Sequence, residues 1–375
     1  MPKVKLSLFQ LFSLVVLFEL GSAVVIGLGA EAKADAWLAI LTGLAIALVL
    51  LCPFACLYYQ YPKEPFTVFV SSIAGKTVGT IVAVLYTCYF MYIGARVLRD
   101  FSELIIMNLL GGTPLLVISF CMMALIMYSL YLGMEVIGRT GEFFFFITIF
   151  SAVIFLFLVF ISGQTKTEHL QPFLENGFWP VIKTAFPTIA TFPFGESIVF
   201  LMFFCFANEM NRRKTIQMGV FGVLFSGLLL CFATLTNILT LGPFLYAQSR
   251  FPLLESISRV NIGNFIQRLD PIAILILIIG GYFKILIFTA AAVLGFVSIN
   301  KNKQIQNYIV PVSFIMMILS TVMAGSLIEH LHIGLKIVPW MLHIPFQFGI
   351  PALLCLVMII KNWLKKRSSK KRISV

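Results

Sequence analysis

Thr191-Phe192-Pro193-Phe194-Gly195-Glu196-Ser197 lies inside an apolar stretch running over 182–206. A helix needs roughly 20 apolar residues to cross a bilayer, and this stretch is long enough. Its middle nevertheless carries a proline, a glycine and a carboxylate. Pro193 cannot donate to the preceding turn, and Gly195 lets the backbone bend and a ligand approach. A helix interrupted here frees backbone groups at mid-membrane. The N–H groups of the resumed half-helix attract an anion such as a carboxylate, and the freed carbonyls attract a cation or an ammonium. An amino acid carries both.

The first apolar stretch, 7–29, holds a matching interruption in Phe18-Glu19-Leu20-Gly21-Ser22-Ala23-Val24-Val25-Ile26-Gly27-Leu28-Gly29. If ten spans form two five-helix repeats of inverted topology, the first and sixth spans correspond. Paired interruptions in corresponding spans point to a transporter-type binding site. Small residues also suit close helix packing, so Gly21, Gly27 and Gly29 carry either reading.

Composition agrees with a membrane chain. Of 375 residues 60% are hydrophobic and 11% charged, with mean hydropathy +1.01, against about 25% charged in soluble domains. The apolar stretches are 7–29, 36–58, 77–97, 114–132, 143–162, 182–206, 216–241, 271–298, 307–328 and 343–363. In lipid all backbone groups must be satisfied internally, so these are helices. The reading is an all-α membrane protein of about ten spans, one polytopic domain over 1–375 with a basic tail at 364–375. The N-terminal run reads as a retained first span rather than a cleaved leader, because a charged stretch and another span follow it. The outer connection, 242–270, spaces its apolar residues helically over 251–266 and predicts a short interfacial helix.

The net charge of +12 does not point to nucleic acid, because the Lys and Arg residues sit in short runs between apolar segments. With the N-terminus inside, the inner segments hold Lys3, Lys5, Lys63, Lys76, Arg139, Arg212, Arg213, Lys214, Lys301, Lys303 and the tail from Lys361 to Arg372. These outnumber the outer Lys and Arg, among them Arg96, Arg99, Arg250, Arg259 and Arg268, which places both termini in the cytoplasm. The tail run Lys365–Arg372 suits contact with anionic lipid.

The seven Cys lie in apolar stretches without metal-ligand spacing and read as packing residues. No phosphate loop, zinc motif or nucleophile motif occurs. The expectation is therefore no catalytic residue, no metal, no cofactor and no enzyme. Intramembrane charges are costly and tend to serve function. Glu19 precedes the first interruption, Glu196 opens the resumed half of the sixth span, and Lys284 sits in Gly280-Gly281-Tyr282-Phe283-Lys284. Lys284 is expected to face the bundle interior, paired with Glu19 or Glu196 or neutral, as a charge relay or a substitute for a coupling ion. Tyr89, Tyr92, Arg96, Asp100 and Glu103 share one stripe of the third span, either an outer vestibule or an interfacial belt.

Four of these segments resemble one family: Phe18–Ala23, the Asp35-Ala36-Trp37 entry to the second span, Thr191–Glu196, and Phe283-Lys284-Ile285. They resemble the B subunits of bacterial spore-germinant receptors along nearly the whole chain. The resemblance implies a LeuT-like bundle of the amino acid–polyamine–organocation superfamily, with 5+5 inverted repeats and broken first and sixth helices. It implies a nutrient-sensing subunit in the spore inner membrane whose partners are a larger A subunit and a C lipoprotein. Carried over, the ligand site falls on Gly21, Ser22, Ala23, Phe192, Pro193, Phe194, Gly195 and Glu196. The leading expectation is a receptor subunit for a small nutrient such as an amino acid. The alternative is a proton-coupled amino-acid symporter of the same fold.

Overall fold

The computed structural model describes residues 5–207, 211–262, 269–300 and 304–373, with side chains of the last helix described to residue 365. The first helix, α1 (Leu8–Ala23), opens with a capping box. Ser7 Oγ accepts from the Gln10 amide at 3.0 Å, and Gln10 Oε1 accepts from the Ser7 amide at 3.0 Å, satisfying two orphan donors at once. From Leu11 to Ala23 every residue is buried, which suits a helix that is apolar all round.

The chain continues through α2 (Ala36–Leu50), α3 (Cys52–Gln60), α4 (Phe66–Ala74), α5 (Lys76–Asn108), α6 (Leu115–Leu132) and α7 (Met134–Ile161). The sixth span begins as α8 (Trp179–Thr184), passes through a π-helical turn, Ala185–Ile189, and resumes as a 3-10 stretch, Phe194–Met202. Next come α9 (Arg212–Leu241), α10 (Pro243–Gln248), α11 (Pro252–Ser258), α12 (Asp270–Asn300), α13 (Gln306–Val322) and α14 (Leu327–His332). Two π-helical runs, Ile333–Ile337 and Pro339–Gly349, lead into α15 (Ile350–Ile373).

Among the described residues eight helical units are long and apolar enough to cross a membrane, and nine if Gln306–Val322 and Leu327–Ile337, bent by 109°, form one span. At 16 residues α1 is a shorter apolar helix. The exterior confirms which solvent the helices face. On α7, Phe143, Phe146, Phe150 and Phe157 are exposed, Phe150 by 68%. The opposite face turns Gly138 and Gly141 toward Leu6 and Leu14. A ridge of exposed phenylalanine is stable against acyl chains, not against water. At the centre α1, α5 and α12 pack against one another.

Several span edges differ from the sequence reading. The first span does not resume as a second half-helix: α1 runs unbroken through Gly21 and ends at Ala23. The following residues turn, Gly29 takes φ +74°, and a 3-10 stretch, Ala30–Asp35, leads into α2. Gly21 stays helical because it lies against Gly280, where a Cβ would stand 3.0 Å from the Gly280 carbonyl oxygen. The third span extends to Asn108, and α4 is an extra short helix before it. The expected straight span over 307–328 stops at Val322. There Ser326 Oγ accepts from the Glu329 amide at 3.2 Å, and Glu329 Oε2 accepts from the Gly325 amide at 2.8 Å, starting α14 in a new direction. Part of the interfacial helix expected over 251–266 is present as α11; residues 263–268 lie outside the described residues, as do Lys3, Lys301 and Lys303. The basic tail continues α15 as helix to Ile373.

Candidate functional site

The sixth span kinks at Phe186, before Pro187, and breaks again at Phe192-Pro193. Helix continues to Thr191, held by Phe192 N–H donating to the Thr188 carbonyl at 2.9 Å. The chain turns at Phe192-Pro193, and the 3-10 stretch starts with Glu196 N–H donating to the Pro193 carbonyl at 3.0 Å. Gly195 is required by crowding. A Cβ there would collide with the Gln347 side-chain amide and stand 3.1 Å from the Ala190 carbonyl oxygen.

This turn aims Glu196 into the bundle. Its Oε2 lies 2.6 Å from Lys284 Nζ of α12, and both side chains are buried. The lysine stem crosses α1 at Gly21, where a Cβ would stand 3.0 Å from Lys284 Cβ. Its ammonium also faces two aromatic rings, 4.9 Å from the centre of Phe18 and 4.7 Å from Phe192, a favourable cation–π setting away from water. Glu19 is fully buried on α1, and neither carboxylate oxygen has a hydrogen-bond partner among the described residues. It interacts electrostatically with both Lys284 and Glu196. The ammonium is thus paired with Glu196, with a second buried carboxyl, Glu19, in the same cluster.

On its other side Glu196 approaches the tenth-span segment, its Oε1 3.9 Å from His343 Nε2. Tyr89 Oη lies 2.7 Å from His343 Nδ1, and Gln347 Nε2 lies 2.9 Å from Tyr89 Oη and 3.1 Å from His343 Nδ1. Nδ1 thus meets Tyr89 and Gln347, while Nε2 is the nitrogen that faces Glu196. Tyr89 of α5, His343 of the Pro339–Gly349 run, Glu196 of the sixth-span break and Lys284 of α12 thus lie in one buried polar row.

A small cavity of about 40 Å³ opens on this row; Arg96, Asp100, Phe192, Glu196, Gly334 and His343 are among the residues of its wall. Arg96 Nη2 donates to the His330 carbonyl at 2.6 Å, and its Nη1 to Tyr92 Oη at 3.4 Å. Asp100 Oδ1 lies 2.8 Å from His330 Nε2. Arg96 and Asp100 of α5 thus hold α14 across the cavity while bordering it.

Of the residues the sequence singles out, Arg96, Asp100, Phe192 and Glu196 border this cavity, and Lys284 joins them through the ion pair. Pro193, Phe194 and Gly195 form the buried turn beneath. Gly21, Ser22 and Ala23 do not border it: Gly21 packs on Gly280, Ser22 is buried, and Ala23 ends α1, while Ile26 from the following turn reaches the cavity. Among the described residues no group of three or more His, Cys, Asp or Glu is placed to hold a metal ion.

The spore germination protein family matches residues 5–328. The chain belongs to this family. Spore germination protein KB of Bacillus subtilis (strain 168) is 35% identical over 372 residues, covering 99% of this chain and 98% of that one. Spore germination protein YndE of the same organism is 26% identical over 348 residues, 90% and 89% of the two chains. Spore germination protein XB of Bacillus anthracis is 24% identical over 300 residues, 78% and 79%. The chain is thus a multi-pass membrane protein of a germination family. Within the family match lie Glu19, Arg96, Asp100, the sixth-span turn and Lys284, whereas His330, His343 and Gln347 lie beyond it. Sequence reasoning missed these last three. Their signal was present as polar side chains in an apolar stretch, with His343 and Gln347 four residues apart on one face.

Proposed function

We propose that this chain is the nutrient-sensing membrane subunit of a spore germinant receptor, binding a small amine-bearing nutrient, an amino acid, at the broken sixth span. The observation that carries the reading is the cavity where Arg96, Asp100 and Glu196 meet beside an interrupted helix. Arg96 presents a guanidinium to a ligand carboxylate, the geometry it pairs with best. Glu196 and Asp100 present carboxylates to the ligand ammonium, and Glu19 adds a buried negative charge behind Lys284. Phe192 supplies an aromatic wall.

Because Arg96 and Asp100 also hold α14, a ligand that engages them competes with that hold. Occupancy then shifts the bundle between two arrangements, which a partner subunit reads. The partners in this reading are a larger A-type subunit and a C-type lipoprotein, in the spore inner membrane, with both termini cytoplasmic. Counting α1 and the bent pair as spans gives ten, the number needed for a LeuT-like 5+5 inverted repeat with the site at mid-membrane.

The buried row His343–Glu196–Lys284 favours a second reading, a proton-coupled amino-acid symporter. The deciding experiment measures both functions of one chain. Spores carrying Arg96→Met at wild-type abundance are scored for germination across a panel of amino acids, and the purified wild-type chain is tested in proteoliposomes for uptake. Loss of the nutrient response with no uptake supports the receptor. Concentrative uptake driven by a pH gradient supports the symporter. An unchanged response in Arg96→Met refutes the site.

A further inference from the structure

A larger cavity, about 90 Å³, lies apart from the site just described, between α1, α7, α9 and α12 and against α11. Its wall is mostly aliphatic, with Leu20, Phe155, Leu229 and Leu277 among its residues, and no charged side chain borders it among the described residues. Four wall residues are polar: Thr148 of α7, Thr236 and Asn237 of α9, and Ser256 of α11; Thr236 Oγ1 donates to the Phe232 carbonyl at 2.9 Å. Each is more than nine-tenths buried. Thr148 Oγ1, Asn237 Oδ1 and Ser256 Oγ each lack a hydrogen-bond partner among the described residues.

Buried polar groups are ordinarily satisfied, and each exception calls for an explanation. One orphan would be unremarkable; three at the wall of one apolar cavity point to an occupant. Asn237 Oδ1 can only accept, so the occupant must donate. The two hydroxyls can each donate or accept. An uncharged occupant fits best, since no countercharge borders the cavity among the described residues to offset the desolvation of a charge. The cavity, about 90 Å³, has room for more than one water-sized group, enough for a short covalent chain.

We propose that this cavity is a second ligand site, for a short uncharged aliphatic molecule bearing a primary amide or a hydroxyl. A primary amide matches all three groups: one N–H donates to Asn237 Oδ1, the other to one hydroxyl oxygen, and its carbonyl accepts from the other hydroxyl. Its hydrocarbon end meets the aliphatic wall. Gly21 and Gly280 also border the cavity and touch each other across the α1–α12 seam beside Lys284. An occupant therefore presses on the same seam that positions the buried ammonium.

The test uses the purified full-length chain in lipid nanodiscs and a diazirine-bearing butyramide as photolabel, with labelled peptides identified by mass spectrometry. The expected label falls on residues 148–159, 229–237 and 253–257, and excess butyramide displaces it while excess butyrate does not. Asn237→Leu is expected to weaken labelling about tenfold, the loss of roughly one good hydrogen bond. Ala152→Phe, which fills the cavity from α7, is expected to abolish it. Displacement in the wild-type chain tests the site independently of whether either variant folds. Label spread over the lipid-facing phenylalanines of α7, equal competition by butyrate, or no label at these positions because water alone fills the cavity would each overturn the proposal.

Discussion

Replacing Lys284 with Met removes the ammonium while keeping most of the side-chain length. In the folded chain that ammonium lies 2.6 Å from Glu196 and faces the rings of Phe18 and Phe192. Its loss leaves Glu196 and Glu19 buried with no countercharge between them. Removing one partner of a buried pair costs about 3–5 kcal/mol, roughly two to almost four powers of ten in an equilibrium constant. Against a typical total stability of about 5–15 kcal/mol, that is enough to deplete the protein from the membrane. The measurement is abundance in purified spore inner membranes by quantitative immunoblot, with the unfolding midpoint in detergent as a second readout. Adding Glu196→Gln to Lys284→Met removes the stranded charge next to the gap and should restore much of the abundance. Adding Glu19→Gln instead should restore less, because the ion pair is with Glu196. Strict additivity of the Lys284 and Glu196 changes, or a fully abundant and responsive Lys284→Met protein, would refute the pairing argument.

Gly195→Leu should insert normally yet abolish the nutrient response, since even a Cβ collides with the Gln347 amide and crowds the Ala190 carbonyl oxygen; germination of spores with matched protein abundance checks this. Glu196→Gln should raise the half-response concentration about tenfold or more, since a charge-assisted hydrogen bond to a ligand ammonium is worth about 1.5–3 kcal/mol; a dose–response series measures it, and an unchanged curve contradicts direct contact. His330→Ala releases Asp100 from α14 and should lower the half-response concentration if ligand and α14 compete; a rise would mean that α14 helps to build the site. A reporter active only outside the membrane should be active when inserted between Leu245 and Arg250 and inactive when fused after Val375; the opposite pattern would invert the topology.

The membrane class and most span positions were legible in the sequence because lipid imposes a local rule. Every crossing segment must be apolar and must satisfy its own backbone, so hydropathy alone marks it. The interruption at Phe192-Pro193 was legible for a similar reason: a missing N–H acts on the turn next to it wherever the helix packs. Gly21 was not legible in the same way. A glycine can break a helix or admit a neighbour, and only the approach of Gly280 and the Lys284 stem shows that here the helix stays whole. The bend after Val322 was also hidden, since it depends on Ser326 and Glu329 capping a new helix rather than on loss of apolar character.

The site divides along the same line. Glu19, Glu196 and Lys284 stood out one by one, because an ionisable residue in an apolar stretch is expensive wherever it points. Nothing in their spacing along the chain said which carboxylate meets the lysine. That choice came from the sixth-span turn, which swings Glu196 toward α12 while Glu19 stays without a hydrogen-bond partner on α1. Nor did the spacing say that Arg96 and Asp100 would meet His330 and His343, more than 200 positions away along the chain. Local chemistry determines what each segment can be, and it is written residue by residue. The pairing of charges across segments is decided by which helix faces pack together, a property of the whole bundle.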